Sequence, residues 1–100
     1  MVHDISTIVL NNQILNFRKA SLIINKEHPN LYTPNYWNVK VYTSYEIEHY
    51  EKFISRELNI KITTKEDISY SGIVTIGGLA HNEIYLKGKG VLVEEQKHPF

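Results

Sequence analysis

A chain of 100 residues has room for one domain, and a domain of this size buries roughly two-thirds of its unfolded surface around a single core. Apolar residues make up 42%, which excludes a disordered chain, and 11 Lys plus Arg balance 11 Asp plus Glu, which excludes a global field steering the protein to nucleic acid or an anionic membrane. Cysteine is absent, and with it disulfides, thiolate metal sites and thiol nucleophiles.

The amino terminus, Met-Val-His-Asp-Ile-Ser, has no basic segment followed by an apolar one, so no signal peptide is expected. The longest apolar runs, such as Ile8–Leu10 and Leu22–Ile24, span three residues and fall far short of a bilayer. A cytoplasmic protein with no membrane association is expected. Little net charge also means little self-repulsion, which favours contact with a partner or with itself.

Ile5 to Leu10 is rich in β-branched residues and alternates loosely, so it is expected to be a strand. Asn11-Asn12 follows, and because Asn tolerates positive φ the pair suits a tight hairpin turn. Ile14 to Ile24 reads as one long strand. Both of its faces mix apolar and polar residues, so a bend or a change of neighbour is expected near Arg18. Pro29 and Pro34 interrupt any ladder between Asn25 and Asn35. Tyr36 to Thr43 then alternates cleanly. Trp37, Val39 and Val41 share one face and Tyr36, Asn38, Lys40 and Tyr42 the other, the pattern of a half-buried strand.

Thr43-Ser44-Tyr45-Glu46 matches a capping box, and Ile47, Tyr50, Ile54 and Leu58 come after it at helical spacing with Phe53 beside them. Glu48 and Lys52 add a favourable pair four residues apart. An amphipathic helix is therefore expected from Thr43 to Leu58, docked through that apolar stripe. Ile60 to Thr64 is a short strand and Lys65-Glu66-Asp67 a polar turn. Ile68, Tyr70, Gly72, Val74 and Ile76 alternate along the next strand, which Gly77-Gly78 is expected to end, leaving a loop to Asn82. Ile84 and Leu86 share one parity and Val91 and Val93 the other. A bulge at Gly88 to Gly90 is expected to shift the parity between them. The polar tail from Glu94 is expected to fray.

The order β-β-β-α-β-β-β predicts an α+β fold in a single domain, residues 1–100. About six mostly antiparallel strands would form a curled sheet, partial barrel or sandwich with one helix packed on it. The expected core is Val9, Leu22, Ile24, Trp37, Val39, Val41, Ile47, Tyr50, Ile54, Leu58, Ile60, Ile62, Val74, Ile76, Ile84 and Leu86.

Few residues carry a chemical signature. The five histidines, at 3, 28, 49, 81 and 98, include no pair at zinc-ligand spacing. His3 and His98 read as solvent residues near the ends, and Glu46 with His49 as a solvated pair. His81 is the one histidine in a glycine-containing loop, a place where a binding side chain can be presented. Gly77-Gly78 and Gly88-Lys89-Gly90 lack the residues of a phosphate cradle. No catalytic residue, metal or cofactor is expected. The compositional signal is tyrosine, with seven copies, of which Tyr32, Tyr36 and Tyr42 gather with Trp37 and Lys40 around the Pro-broken stretch. Such rings anchor protein interfaces and can also stack single-stranded bases.

In the last third, Tyr70-Ser71-Gly72-Ile73-Val74-Thr75-Ile76 and Ile84-Tyr85-Leu86-Lys87-Gly88-Lys89-Gly90-Val91-Leu92 resemble the closing strands of small β-proteins encoded by phages and prophages, tail-associated ones among them. That resemblance implies an accessory or virion-associated protein and assigns no functional residue. The leading expectation is a non-enzymatic protein-binding or assembly module whose interface is Tyr32, Tyr36, Lys40 and Tyr42, with a protein partner or a second copy across it. A small nucleic-acid-binding barrel is the alternative and an enzyme the third option.

Overall fold

Alternating β-branched residues become, in three dimensions, an all-β barrel. The computed structural model describes residues 2–25, 36–43, 47–80 and 82–95, with the side chains at 25, 36 and 47–49 outside that description. The strands are β1 (Val2–Leu10), β2 (Gln13–Ile14), β3 (Lys19–Asn25), β4 (Tyr36–Tyr42), β5 (Leu58–Thr64), β6 (Ser69–Ala80) and β7 (Glu83–Glu95). All pairings are antiparallel, in the order β1-β3-β4-β7-β6-β5, and β5 returns to β1 to close a six-stranded barrel, with β2 as a short flap on β1. The expected α+β architecture is thus corrected to all-β.

Closure is achieved by β1 serving two neighbours. Val2–Asp4 pair with β3, and Ile5–Leu10 pair with β5 on the other edge. A register shift between Ile5 and Thr7 lies at the changeover. It breaks simple alternation, so Ile5, Ile8 and Leu10 all point inward while Val9 is only half-buried. Asn11 and Asn12 take φ of 52° and 67°, and the hairpin closes with Leu10 opposite Gln13, the geometry of a two-residue turn with both central residues left-handed. The long strand expected from Ile14 to Ile24 is divided between β2 and β3 by residues 15–18. There the backbone amide of Leu15 donates to Ile8 and that of Arg18 to Tyr42.

The segment expected to be an amphipathic helix holds only a 3-10 helix, Ile47–Phe53. Ser44–Glu46, and so most of the capping box, lie outside the described residues. Thr43 is buried, its hydroxyl donates to the Asn16 carbonyl and its amide to the Asn82 carbonyl. Leu58 opens β5 opposite Val74 instead of ending a helix, and Ser55, at φ 70°, turns the chain before it. The barrel uses Leu58–Thr64 as its closing strand, which takes Leu58, the last residue of the apolar stripe, away from any helix. The tight three-residue repeat of a 3-10 helix aligns Tyr50 and Phe53, both partly buried against the core. Ile54 is expelled to 49% exposure.

The β6–β7 hairpin is longer than the glycines suggest. β6 continues through Gly77-Gly78 to Ala80, and a one-residue bulge between Ile76 and Gly78 switches the inward face from Ile76 to Leu79. In β7 the irregularity falls between Lys89 and Val93, as Gly90 suggested, but it contains two extra residues. An even insertion preserves parity. Leu92 therefore continues the inward row of Ile84 and Leu86, and Val91 and Val93 face outward, contrary to the expected shift.

Trp37 lies across this region. A Cβ at Gly88 would stand 2.4 Å from its Cδ2 and Cε2, and one at Gly72 would stand 2.7 Å from its Cζ2. The indole N–H donates to the Gly90 carbonyl at 3.0 Å, where Gly90 holds φ of 74°. Around Trp37 the interior is filled by Ile8, Leu22, Val39, Val41, Ile60, Ile62, Val74, Ile84 and Leu86. Of the expected core, Tyr50, Ile76 and Val9 are half-buried, Ile54 is exposed and the Ile47 side chain is outside the description. Ile5, Ile8, Leu10, Leu15 and Ala20 are additions.

This packing makes two substitutions informative. Ile54→Ala should change stability by less than about 0.5 kcal/mol, whereas Ile62→Ala should cost about 2–5 kcal/mol, both read from denaturant melts. Gly88→Ala should be far worse tolerated than its one methyl suggests, costing about 1–3 kcal/mol or more, because the added carbon meets Trp37 ring atoms and, at 2.5 Å, its backbone oxygen. A neutral melt for Gly88→Ala would mean that the indole does not rest on β7.

Candidate interaction face

The ladder register brings β3, β4 and β7 into one outward face. Tyr42 stands between Lys19 and Glu83, Lys40 between Ser21 and Tyr85, and Asn38 between Ile23 and Lys87. Directly opposed residues of antiparallel strands project to the same side, so these three rows form a continuous patch. It carries the cations Lys19, Lys40 and Lys87, the rings of Tyr42 and Tyr85, and the single carboxylate of Glu83. Asp4 lies at its margin, opposite Ser21. Tyr42 is 41% exposed. The Tyr85 ring lies along β6, where the missing side chain of Gly77 gives it room. The Asn38 Oδ1 is buried in the third row with no hydrogen-bond donor among the described residues.

Of the four residues expected to form an interface, Lys40 and Tyr42 are on this face. Tyr36 is in β4, its side chain outside the description, and Tyr32 lies outside the described residues, as does His81. Lys19, Tyr85 and Lys87 join the patch from strands distant in sequence. Alternation set Tyr85 and Lys87 opposite Ile84 and Leu86, but both faces of the stretch that holds Lys19 read as mixed, and nothing in the chain said that β3 and β7 flank β4. The sheet closes completely. β4 is paired along both sides, so association here is through side chains and not by strand addition.

Two further exposed regions differ in chemistry. On β5–β6–β7, Ile73, Val91 and Val93 line an open groove of about 590 Å³ together with Lys61, Lys89 and Glu95. Lys89 forms an ion pair with Glu57 across its edge. At the end of the barrel formed by the β5–β6 turn, His3 is turned inward, correcting its placement in solvent. Its side chain is 11% exposed, its Nδ1 is 3.7 Å from Glu66 Oε1, and its ring centroid is 6.4 Å from that of Tyr70. Burial, followed by the negative charges of Glu94 and Glu66, pushes the Tyr70 hydroxyl above the ordinary tyrosine range. Among the described residues no three His, Asp or Glu side chains converge as a metal site.

Tyr50, near the opposite end, is also raised by burial. For both tyrosines the folded state holds the proton more tightly than the unfolded chain. Their contribution to stability is therefore complete below the ordinary value of 10.0 and is lost as pH rises through the raised folded values. Alkaline melts should show stability falling in that window, with a shallower fall in Tyr70→Phe. An identical alkaline slope in parent and variant would remove Tyr70 as a contributor. No helix among the described residues is long and apolar enough to cross a membrane. No protein-family model, curated protein or solved structure matches the chain, so its function is read from the geometry of these surfaces.

Proposed function

We propose that this protein is a non-enzymatic binding or assembly module that engages a protein partner, or a second copy of itself, through the β3–β4–β7 face. The observation that carries this is the alignment of Tyr42, Lys40 and Tyr85 across two adjacent strand pairs, with Lys19 and Lys87 flanking them. Tyrosines offer large amphipathic contact area with few rotatable bonds, and a rigid barrel wall presents them with little ordering entropy. Mixed charge along the rim suits orientation of a protein partner more than bulk capture of a polyanion. The role agrees with the resemblance of Tyr70–Leu92 to small phage-encoded β-proteins, in the cytoplasm or on a virion.

A single-stranded nucleic acid is the second reading. It is favoured by Lys19, Lys40 and Lys87 standing beside Tyr42 and Tyr85 on one face. The double variant Lys40→Glu, Tyr42→Ala separates the two. Both side chains project from the barrel wall, so its melting curve should match the parent. It should weaken self-association in light scattering, or recovery of a crosslinked protein partner, by about 30-fold or more, as loss of an interface anchor does. Unchanged association and partner recovery in a folded variant would overturn the protein reading. Salt-sensitive binding of a single strand by the parent, lost in the variant, would put nucleic acid in its place.

A further inference from the structure

A separate site lies at the end of the barrel where the Asn11-Asn12 hairpin meets the 3-10 helix. Leu10, Leu15 and Leu58, each no more than 7% exposed, form the apolar floor of a pocket of about 120 Å³. Tyr50 and Phe53 wall it from the 3-10 helix, and Ile14, 76% exposed on the two-residue β2, stands at its rim. Asn11 and Gln13 complete the lining, and among the described residues no charged side chain contributes to it.

We propose that this pocket binds a compact, uncharged molecule built on a single aromatic ring. Size sets the upper limit. An enclosed cavity of about 150 Å³ lined by Leu, Ile and Phe accepts benzene, so a space of this size admits one ring and no more. Charge sets the class. A carboxylate or ammonium would lose its hydration against leucine and phenylalanine, and the described lining offers no opposite charge to meet it. Asn11 and Gln13 are the polar residues of the lining, so a ring substituent that hydrogen-bonds is compatible with the site and not required by it. Access is local, since a rim built from a two-residue strand can shift without disturbing the barrel ladders. The site lies at the barrel end beyond the β3–β4–β7 rows and does not depend on their role.

The test is an amide-resolved NMR titration of the full chain with toluene and phenol as probes and benzoate as the charged control. Toluene and phenol should give saturable shifts centred on Asn11, Leu15, Tyr50 and Phe53, with dissociation constants on the order of millimolar or tighter for ligands of seven heavy atoms. Near saturation they should raise the melting temperature by several degrees. Benzoate should give neither effect. Leu15→Trp, which fills the pocket, should abolish the shifts, and Leu15→Phe serves if the larger ring prevents folding. Linear, unsaturable shifts, benzoate binding as tight as toluene, or shifts that survive in a folded, filled variant would each overturn the proposal.

Discussion

An indole laid across two glycines organises this barrel. Trp37 projects from β4 into the space where Gly72 of β6 and Gly88 of β7 have no side chains, and its N–H must find an acceptor once it leaves water. The Gly90 carbonyl supplies it, but only because β7 departs from regular pairing there and Gly90 takes a left-handed conformation. The two-residue irregularity then sets the facing of the rest of β7: Leu92 packs inward and Val91 and Val93 are left outside, lining the groove on the β5–β6–β7 wall. One buried ring thus accounts for the glycine spacing, the bulge and the exposed valines.

Closure imposes a second constraint, and it removes the helix. A sheet of this curvature leaves no unpaired backbone only if its last strand returns to its first. β1 allows this by giving its first residues to β3 and the rest to β5. With Leu58–Thr64 committed to that ladder, the described part of the connection is a 3-10 helix that partly buries Tyr50 and Phe53 and leaves Ile54 exposed. Helical periodicity in the sequence was real, but of its apolar stripe Leu58 went to a strand and Ile54 to the surface, which left Tyr50 and Phe53 to pack against the core.

Zero net charge reflects cations and carboxylates spread over the whole barrel. The tyrosine-bearing wall carries Lys19, Lys40 and Lys87 with Glu83 among them and Asp4 at its margin. The wall also combines the features that make a good contact surface: fixed rings, flexible cations and a rigid ladder beneath. The pocket under the hairpin is a different kind of site, small, with an apolar floor and no charged side chain among the described residues that line it.

The sequence by itself determined the strands whose alternation is uninterrupted. Trp37, Val39 and Val41 inside with Lys40 and Tyr42 outside was legible, as were the Asn11-Asn12 turn, the break near Arg18 and most of β5 and β6. These are consequences of a side-chain period of two and of residue-specific φ preferences, both properties of a few neighbouring residues. Tertiary structure alone decided which strands are neighbours, and hence that Lys19, Tyr85 and Lys87 join Lys40 and Tyr42 in one face. It also decided the inward turn of Ile8, Leu10 and His3, the even length of the β7 irregularity and the replacement of the expected helix. Each depends on pairing between residues far apart in the chain, where one extra residue in a bulge reverses or restores the face of everything beyond it.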